Sequence, residues 1–109
     1  MSHEMLGRNK AGEEIAYARF SMRNYNAFIL YDLLDAQVFN AGVSGSGNSS
    51  TFSNLQIEKA LNGWKRLNEN NDSVSASGAE NWDRKQINNF ILNCFKTAQK
   101  EGSVHVSFF

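Results

Sequence analysis

The sequence predicts a mainly α fold: a three-helix bundle with a long central first helix and a short β-prone C-terminal tail. Along three separate segments, apolar residues recur at spacings of three and four, the spacing of one helix face. Polar stretches rich in Gly, Ser and Asn separate these segments, as loops do. The 109 residues contain no proline, so helices can run long without interruption.

The composition describes one small domain. The chain is 41% hydrophobic and 12% aromatic, which is too apolar for a disordered protein. Eleven basic and eleven acidic residues cancel, so no net charge attracts nucleic acid or an anionic membrane. One cysteine cannot form an internal disulfide, and the polar start contains no signal-peptide h-region. We therefore expect a cytoplasmic protein without membrane contact, with a flexible arm over residues 1–11 and a single helical domain over residues 12–109.

The first helix is predicted to run from Gly12 to about Asn40, with Gly42 as the left-handed residue that ends it. One apolar arc of this helix consists of Ile15, Ala18, Met22, Tyr25, Ile29, Leu33 and Ala36. The opposite arc consists of Ala16, Phe20, Ala27, Leu30, Leu34 and Val38. A helix with two apolar faces needs two partners, so we expect it to lie at the centre of the bundle or to bind a second chain.

A β-strand over residues 13–22 is the alternative, because Ile15 and Tyr17 alternate with alanines. The tail SVHVSFF also alternates, and a single strand is not stable by itself. The tail must then pair with residues 1–20, pair between chains, or dock its phenylalanines. In this alternative the fold is α+β, with terminal strands pairing beside three helices.

Two further helices are predicted from capping residues and apolar stripes. Ser53 with Gln56 forms a capping box for the second helix, and Ser77 with Glu80 one for the third, which Gly102 should end. The stripes consist of Ile57, Ala60, Leu61, Trp64 and Leu67 in the second helix and Ile87, Phe90, Ile91, Cys94, Phe95 and Ala98 in the third. We expect Phe90 and Phe95 in the core and both tryptophans as packing anchors.

The stretch NAGVSGSGNSSTFSN, residues 40–54, invites comparison with phosphate-binding loops. A Walker loop requires G-x-x-x-x-G-K-[ST], and this stretch has no lysine. A Rossmann loop requires G-x-G-x-x-G after a strand, whereas the three glycines here have the reversed spacing. The composition predicts a mobile, ligand-free connector from Val43 to Thr51. The alternative is an anion site at the start of the second helix, with Ser44 and Ser46 beside it.

Asp32 and Asp35 are the most unusual polar residues, because they lie three residues apart in an apolar helical segment. Two close carboxylates can share a proton or bind a metal. They can also form a narrow solvated stripe, or pair with basic residues of a neighbouring helix such as Lys59 or Arg66.

The cysteine and the two histidines show no spacing typical of a metal site. Cys94 lies on an apolar stripe, where a thiol is usually inert. A dyad of Cys94 with His105 is conceivable but has no support in the sequence.

The pattern indicates a helical protein–protein interaction module that self-associates, without naming its biological role. We expect a homodimer, because the second arc of the first helix would otherwise be exposed to water. The interface residues are then Phe20, Ala27, Leu30, Leu34 and Val38.

Two other functions are considered. One is a small-molecule or anion-binding protein that uses Asp32, Asp35, Ser44 and Ser46. The other is a nucleic-acid-binding regulator, which the zero net charge disfavours. Its basic patch would consist of Lys59, Lys65, Arg66, Arg84 and Lys85. No motif indicates catalysis, a cofactor or a metal, so we expect a protein that is not an enzyme.

Overall fold

The computed structural model describes residues 2–21, 24–42, 44–70 and 78–109. In this part of the chain a four-stranded antiparallel sheet accompanies three helices, so the class is α+β and the predicted helical bundle is wrong. The elements are β1 (Ser2–Arg8), β2 (Glu14–Ser21), α1 (Tyr25–Leu33), β3 (Ser49–Ser53), α2 (Asn54–Asn70), α3 (Gly78–Glu101) and β4 (Ser103–Phe108). A 3-10 turn at Gln37–Phe39 follows α1. Met22, Val43 and Ser77, on which sequence predictions rest, lie outside the described residues.

The strand order is β2–β1–β4–β3, so the first and last strands are the two central ones. On β1, Met5 lies opposite Ala18 of β2 and opposite Phe108 of β4. On the other side of β4, Val104 lies opposite Phe52 of β3. The β-prone tail therefore pairs within the chain. Residues 1–11, for which we expected a flexible arm, contain strand β1.

One face of the sheet is buried under the helices, and the other is open. The buried face carries His3, Met5, Ala16, Ala18, Phe20, Val104, Val106 and Phe108. The open face is mainly polar, with Tyr17 and Arg19 exposed on β2, as is usual for an antiparallel sheet with one solvated side. Gly7 lets α3 lie close to the sheet, because a Cβ at this position would be only 3.2 Å from Cys94 Sγ.

The predicted long first helix is in fact a strand followed by a short helix. Ala16 and Phe20 fit one face of a helix, but together with Ala18 they also fit a period of two, and pairing with β1 selects the strand. Helix α1 begins only after Asn24, whose side chain accepts a hydrogen bond from the Asn26 backbone N–H at 2.9 Å. This N-cap separates the two elements, because it satisfies a backbone donor that would have no partner at the start of α1.

The predictions for α2 and α3 are largely confirmed. The capping box is reciprocal: the Ser53 N–H donates to Gln56 Oε1 at 2.8 Å, and the Gln56 N–H donates to Ser53 Oγ at 3.2 Å. Gly102 ends α3 with a positive φ of 88°. The stripe residues are buried except Phe95, which is partly buried, and Leu67, which is exposed. Trp82 is not a packing anchor, since 66% of it is exposed.

The glycine- and serine-rich stretch is paired rather than a free connector. The Gly45 N–H donates to the Phe109 carbonyl at 2.8 Å, and the Gly47 N–H donates to the Phe108 carbonyl at 2.7 Å. Residues from Ser49 onward form β3. A Cβ at Gly45 would lie 2.5 Å from the carbonyl carbon of Phe108, so this close approach of two backbone segments requires glycine. The connector prediction is wrong because Gly45 permits close backbone contact and Gly42 and Gly47 take up a positive φ, while the segment pairs with the C-terminal residues.

Candidate functional site

A concave surface lies between the C-terminal end of α1 and the exposed side of α2. Two adjoining pockets, of about 400 Å³ and about 330 Å³, share Asp32, Leu33 and Lys59. We call this surface the α1–α2 groove. Its lining residues are Asp32, Leu33, Leu34, Asp35, Leu55, Gln56, Glu58, Lys59, Asn62, Gly63 and Arg66.

Close packing of the two helices forms the floor of the groove. Gly63 of α2 faces Leu33 of α1, and a Cβ at Gly63 would lie 3.0 Å from Leu33 Cδ2. The opposite side of α2 is its apolar stripe, with Ile57 and Trp64 buried. Amphipathicity therefore orients α2 so that its polar side forms one wall of the groove.

Asp35 ends α1 in a conformation that is unusual for its residue type. It has a φ of 54°, and it is the only residue other than glycine with a positive φ among the described residues. The Asp35 N–H donates to the Asp32 carbonyl at 3.1 Å, and the Ala36 N–H donates to the Tyr31 carbonyl at 2.8 Å. These two bonds form a Schellman motif, in which glycine is the usual residue. The prediction that Gly42 ends this helix is therefore wrong, because Asp35 does so seven residues earlier.

The charges of the groove face each other without pairing. Asp32 and Asp35 are exposed at the end of α1, and Lys59 and Arg66 are exposed on α2. Among the described residues the one ion pair within 4 Å is Arg19 with Glu4, at 3.6 Å on the sheet. Asp32 Oδ1 accepts instead from Gln37 Nε2 at 2.9 Å. The structure thus brings together the carboxylates and the two basic residues suggested as their partners, but leaves both sets solvated.

Ser44 and Ser46, the other members of the predicted ligand site, do not line this groove. Ser44 Oγ donates to the Gly45 carbonyl at 3.0 Å, and Ser46 Oγ accepts from Asn48 Nδ2 at 3.3 Å. The backbone amides of residues 45–47 donate to backbone carbonyls. Residues 45–47 therefore offer no free amide to an anion, and at the start of α2, where the anion site was predicted, the Gln56 N–H already donates to Ser53 Oγ.

The predicted basic patch is divided. Lys59 and Arg66 lie in the groove, whereas the Arg84 guanidinium lies 5.6 Å from the centroid of the Trp64 ring, a cation–π distance. Lys65 and Lys85 are exposed outside the groove. Successive residues of one helix point in different directions, so basic residues that are neighbours in the sequence do not form one basic surface.

The predicted dimer interface is largely interior. Phe20, Ala27, Leu30 and Leu34 are buried, and of the five predicted residues Val38 alone is exposed, to 85%. The reason is the break between β2 and α1. Phe20 belongs to the sheet, and the short α1 packs against both neighbouring helices and the sheet, so the predicted arc from Phe20 to Leu34 is covered within the subunit.

The sequence analysis missed a buried polar pair, His3 with Tyr31. In the neutral tautomer with the proton on Nε2, His3 donates to the Gly42 carbonyl at 3.2 Å, and Nδ1 accepts from the Tyr31 hydroxyl at 3.0 Å. Burial raises the pKa of Tyr31 to about 12. The pair ties β1, α1 and the following loop together, and the alternation of His3 with Met5 on β1 was the signal that could have revealed it.

Cys94 and His105 do not form a dyad. Cys94 of α3 is buried against the sheet near Gly7, and burial raises the pKa of its thiol to about 12. His105 Nδ1 lies 3.2 Å from Thr51 Oγ1, at a position on β4 whose side chain is not buried. No group of three or more His, Cys, Asp or Glu side chains in the described part of the chain could hold a metal ion.

No described helix is long and apolar enough to cross a membrane. No protein-family model, curated protein or solved structure matches the chain. What the protein does must therefore be inferred from its own residues and geometry.

Proposed function

We propose that the protein is a self-associating interaction module, in which two copies pair through the α1–α2 groove. The observation that supports this proposal is the arrangement of Asp32 and Asp35 opposite Lys59 and Arg66, with all four side chains exposed and without an ion pair among the described residues. Such a surface has opposite charges available for a partner.

The two carboxylates are placed where they weaken the isolated subunit. The C-terminal end of a helix carries partial negative charge, so an acidic side chain there costs about 0.3–1 kcal/mol. No basic residue occupies the last turn of α1 to offset it. The left-handed conformation of Asp35 adds about 1–2 kcal/mol, a cost that glycine would avoid. A binding role explains why carboxylates occupy this position, because a cationic partner surface restores the lost stability.

A second copy of the chain is the occupant that fits these charges. In a two-fold pairing the same surface serves both subunits. Each contact therefore occurs twice, once from the first subunit to the second and once from the second to the first. The groove has an acidic wall at the end of α1, and its α2 wall carries two basic side chains, Lys59 and Arg66, and one carboxylate, Glu58. A two-fold rotation can place the acidic wall of each copy against the basic side chains of the other, and this complementarity favours the pairing.

Apolar contact is available at the rim of the groove. Leu55 is 75% exposed at the start of α2, beside the partly buried Leu33. From Leu55 to Arg66 the groove follows three turns of helix, or about 16 Å. A contact of this length buries less surface than the roughly 800 Å² per partner of stable complexes. We therefore expect a micromolar affinity that weakens as the salt concentration rises.

Charge reversal tests the proposal. The unmodified chain should show a concentration-dependent dimer by analytical ultracentrifugation. The variants Asp32→Lys/Asp35→Asn and Lys59→Glu/Arg66→Glu should each be monomeric, because like charges then face each other. An equimolar mixture of the two should dimerise again, since each altered wall meets a complementary one.

The control is Lys65→Glu/Lys85→Glu, which makes a similar charge change outside the groove. It should dimerise like the unmodified chain. A chain that stays monomeric at several hundred micromolar in low salt would contradict the proposal. So would equal loss of dimer in the control, or a mixture of the two groove variants that remains monomeric.

A further inference from the structure

A second concave site lies at the end of the sheet, where the β1–β2 hairpin parts from β4. Strand β1 pairs with β4 only as far as Arg8 opposite His105, whereas β4 begins two residues earlier, at Ser103. A pocket of about 300 Å³ occupies this gap. Arg8 and Lys10 line it from the hairpin side, and Thr51, Ser103 and His105 line it from β3 and β4.

The pocket is positively charged. Arg8 and Lys10 contribute two permanent cations, and none of the lining residues carries a carboxylate. Neither cation forms an ion pair within the described ranges. Glu14 is the cross-strand neighbour of Arg8, yet no ion pair joins them. In a concave site such unpaired cations attract an anion more strongly than they would on a flat surface.

Two carboxylates bind the β1–β2 hairpin without pairing with the side-chain cations of Arg8 and Lys10. Glu101 Oε1 accepts from the backbone N–H of Lys10 at 2.8 Å, not from its ammonium group. Glu13 Oε1 accepts from Asn9 Nδ2 at 3.1 Å. These carboxylates therefore hold the hairpin in place while the Arg8 guanidinium remains available to a ligand.

Polar donors complete the site on the strand side. Thr51 Oγ1 and His105 Nδ1 lie 3.2 Å apart. In the tautomer in which the Thr51 hydroxyl donates to Nδ1, the ring proton is on Nε2, which is then a donor for a ligand. Ser103 adds a hydroxyl. The pocket thus offers donors from the hairpin and from two strands.

Backbone hydrogen bonds hold the hairpin wall of the pocket before any ligand binds. The Asn9 N–H donates to the Glu13 carbonyl at 3.0 Å, and the Gly12 N–H donates to the Asn9 carbonyl at 3.0 Å. The positive φ of Gly12, 83°, allows this tight turn. A preformed site loses less conformational entropy when it binds, so even a small ligand can be held.

We propose that this pocket binds the phosphate group of a small phosphomonoester. Two cations match a dianion, and the guanidinium of Arg8 can donate two parallel hydrogen bonds to phosphate oxygens. A volume of about 300 Å³ is at the lower limit of about 300–1,000 Å³ for ligand pockets, which favours a compact molecule. This site is separate from the α1–α2 groove, so it does not depend on self-association.

Titration of the full chain with inorganic phosphate, followed by NMR at constant ionic strength, tests the site. The amides of residues 8–12, Thr51 and residues 103–105 should shift together with one dissociation constant. Arg8→Gln should weaken binding about tenfold or more, the loss expected for one charge-assisted contact. Lys10→Gln gives a second measurement on an exposed hairpin residue, in case the first variant folds poorly.

Arg19→Gln is the matched control, because Arg19 lies on the same open face but does not line the pocket. Its affinity for phosphate should equal that of the unmodified chain. The proposal is overturned if phosphate moves no amide of the pocket, or if Arg19→Gln weakens binding as much as Arg8→Gln does. Unchanged affinity in both Arg8→Gln and Lys10→Gln would also overturn it.

Discussion

The side-chain amide of Gln86 on α3 binds both backbone groups of Arg19 at the outer edge of β2. The Arg19 N–H donates to Gln86 Oε1 at 2.9 Å, and Gln86 Nε2 donates to the Arg19 carbonyl at 3.0 Å. One side chain thus takes the place of the next strand at an edge, where free N–H and C=O groups invite pairing with another chain. The contact also ties α3 to β2.

Gln86→Ala should therefore release the edge of β2. We expect the Arg19 amide to exchange its hydrogen faster and the free energy of unfolding to fall by about 1 kcal/mol. Hydrogen exchange followed by NMR measures the first effect, and urea denaturation the second. Gln99→Ala, an exposed change on the same helix, should alter neither. If Arg19 exchange stays slow in Gln86→Ala, the amide does not protect this edge.

Tyr31→Phe removes the hydroxyl that donates to His3 Nδ1 in the core. A buried acceptor that loses its donor costs about 1–3 kcal/mol, so urea denaturation should show a loss of this size. Tyr17→Phe is the control, because its hydroxyl donates to Glu4 Oε1 at an exposed position. That change should stay within about 0.5 kcal/mol of the unmodified chain. Equal effects of the two variants would show that the buried bond is not stabilising.

Alkaline pH should destabilise the fold through two buried groups. Burial raises the pKa of the Tyr31 phenol from 10.0 and that of the Cys94 thiol from 9.0, both to about 12. A raised pKa means that the folded state favours the neutral form, so this stability is complete below about pH 9 and is lost as the pH rises toward 12. Urea denaturation between pH 8 and about 12 measures the slope. Tyr31→Phe/Cys94→Ala should flatten it, and an unchanged slope would contradict the assignment.

Gly45 and Gly47 should respond differently to alanine. At Gly45 the new Cβ would lie 2.5 Å from the Phe108 carbonyl carbon, so the backbone must shift, at a cost of about 2–3 kcal/mol. At Gly47 there is open space, but φ is 85°, which costs about 1–2 kcal/mol. Thermal unfolding should rank the two in this order, with Ser46→Ala near the unmodified chain. If neither glycine change lowered the unfolding temperature, the segment would instead be a mobile connector.

Asp35→Gly should stabilise the monomer while weakening the dimer. Relief of the left-handed strain and of the unfavourable charge at the end of α1 exceeds the added chain entropy by about 0.5–1 kcal/mol. Urea denaturation at a protein concentration below the dissociation constant measures the gain. Asp35→Ala is the comparison, because it removes the charge but keeps the Cβ, and it should gain less. A destabilised Asp35→Gly variant would show that the carboxylate supports the fold itself.

Local signals in the sequence determined α2 and α3. The reciprocal bonds of Ser53 and Gln56 depend on residues only three apart, and the stripe of α3 presents Phe90 and Ile91 to the core whatever lies opposite. The stop at Gly102 is local as well, since it needs only a residue that tolerates a positive φ. Such features could be predicted because their energies come from neighbours in the chain.

Only the tertiary structure decided the strands and the groove. Residues 15–20 fit both a helix with two apolar arcs and a strand with a period of two, and the choice depends on hydrogen bonds to β1, a separate segment of the chain. Asp32 and Lys59 could each be recognised as candidates from the sequence, but the close contact of Leu33 with Gly63 is what places them in one groove. The physical reason is the same in both cases: backbone pairing and side-chain packing between distant segments exceed the small local preferences that a sequence pattern records.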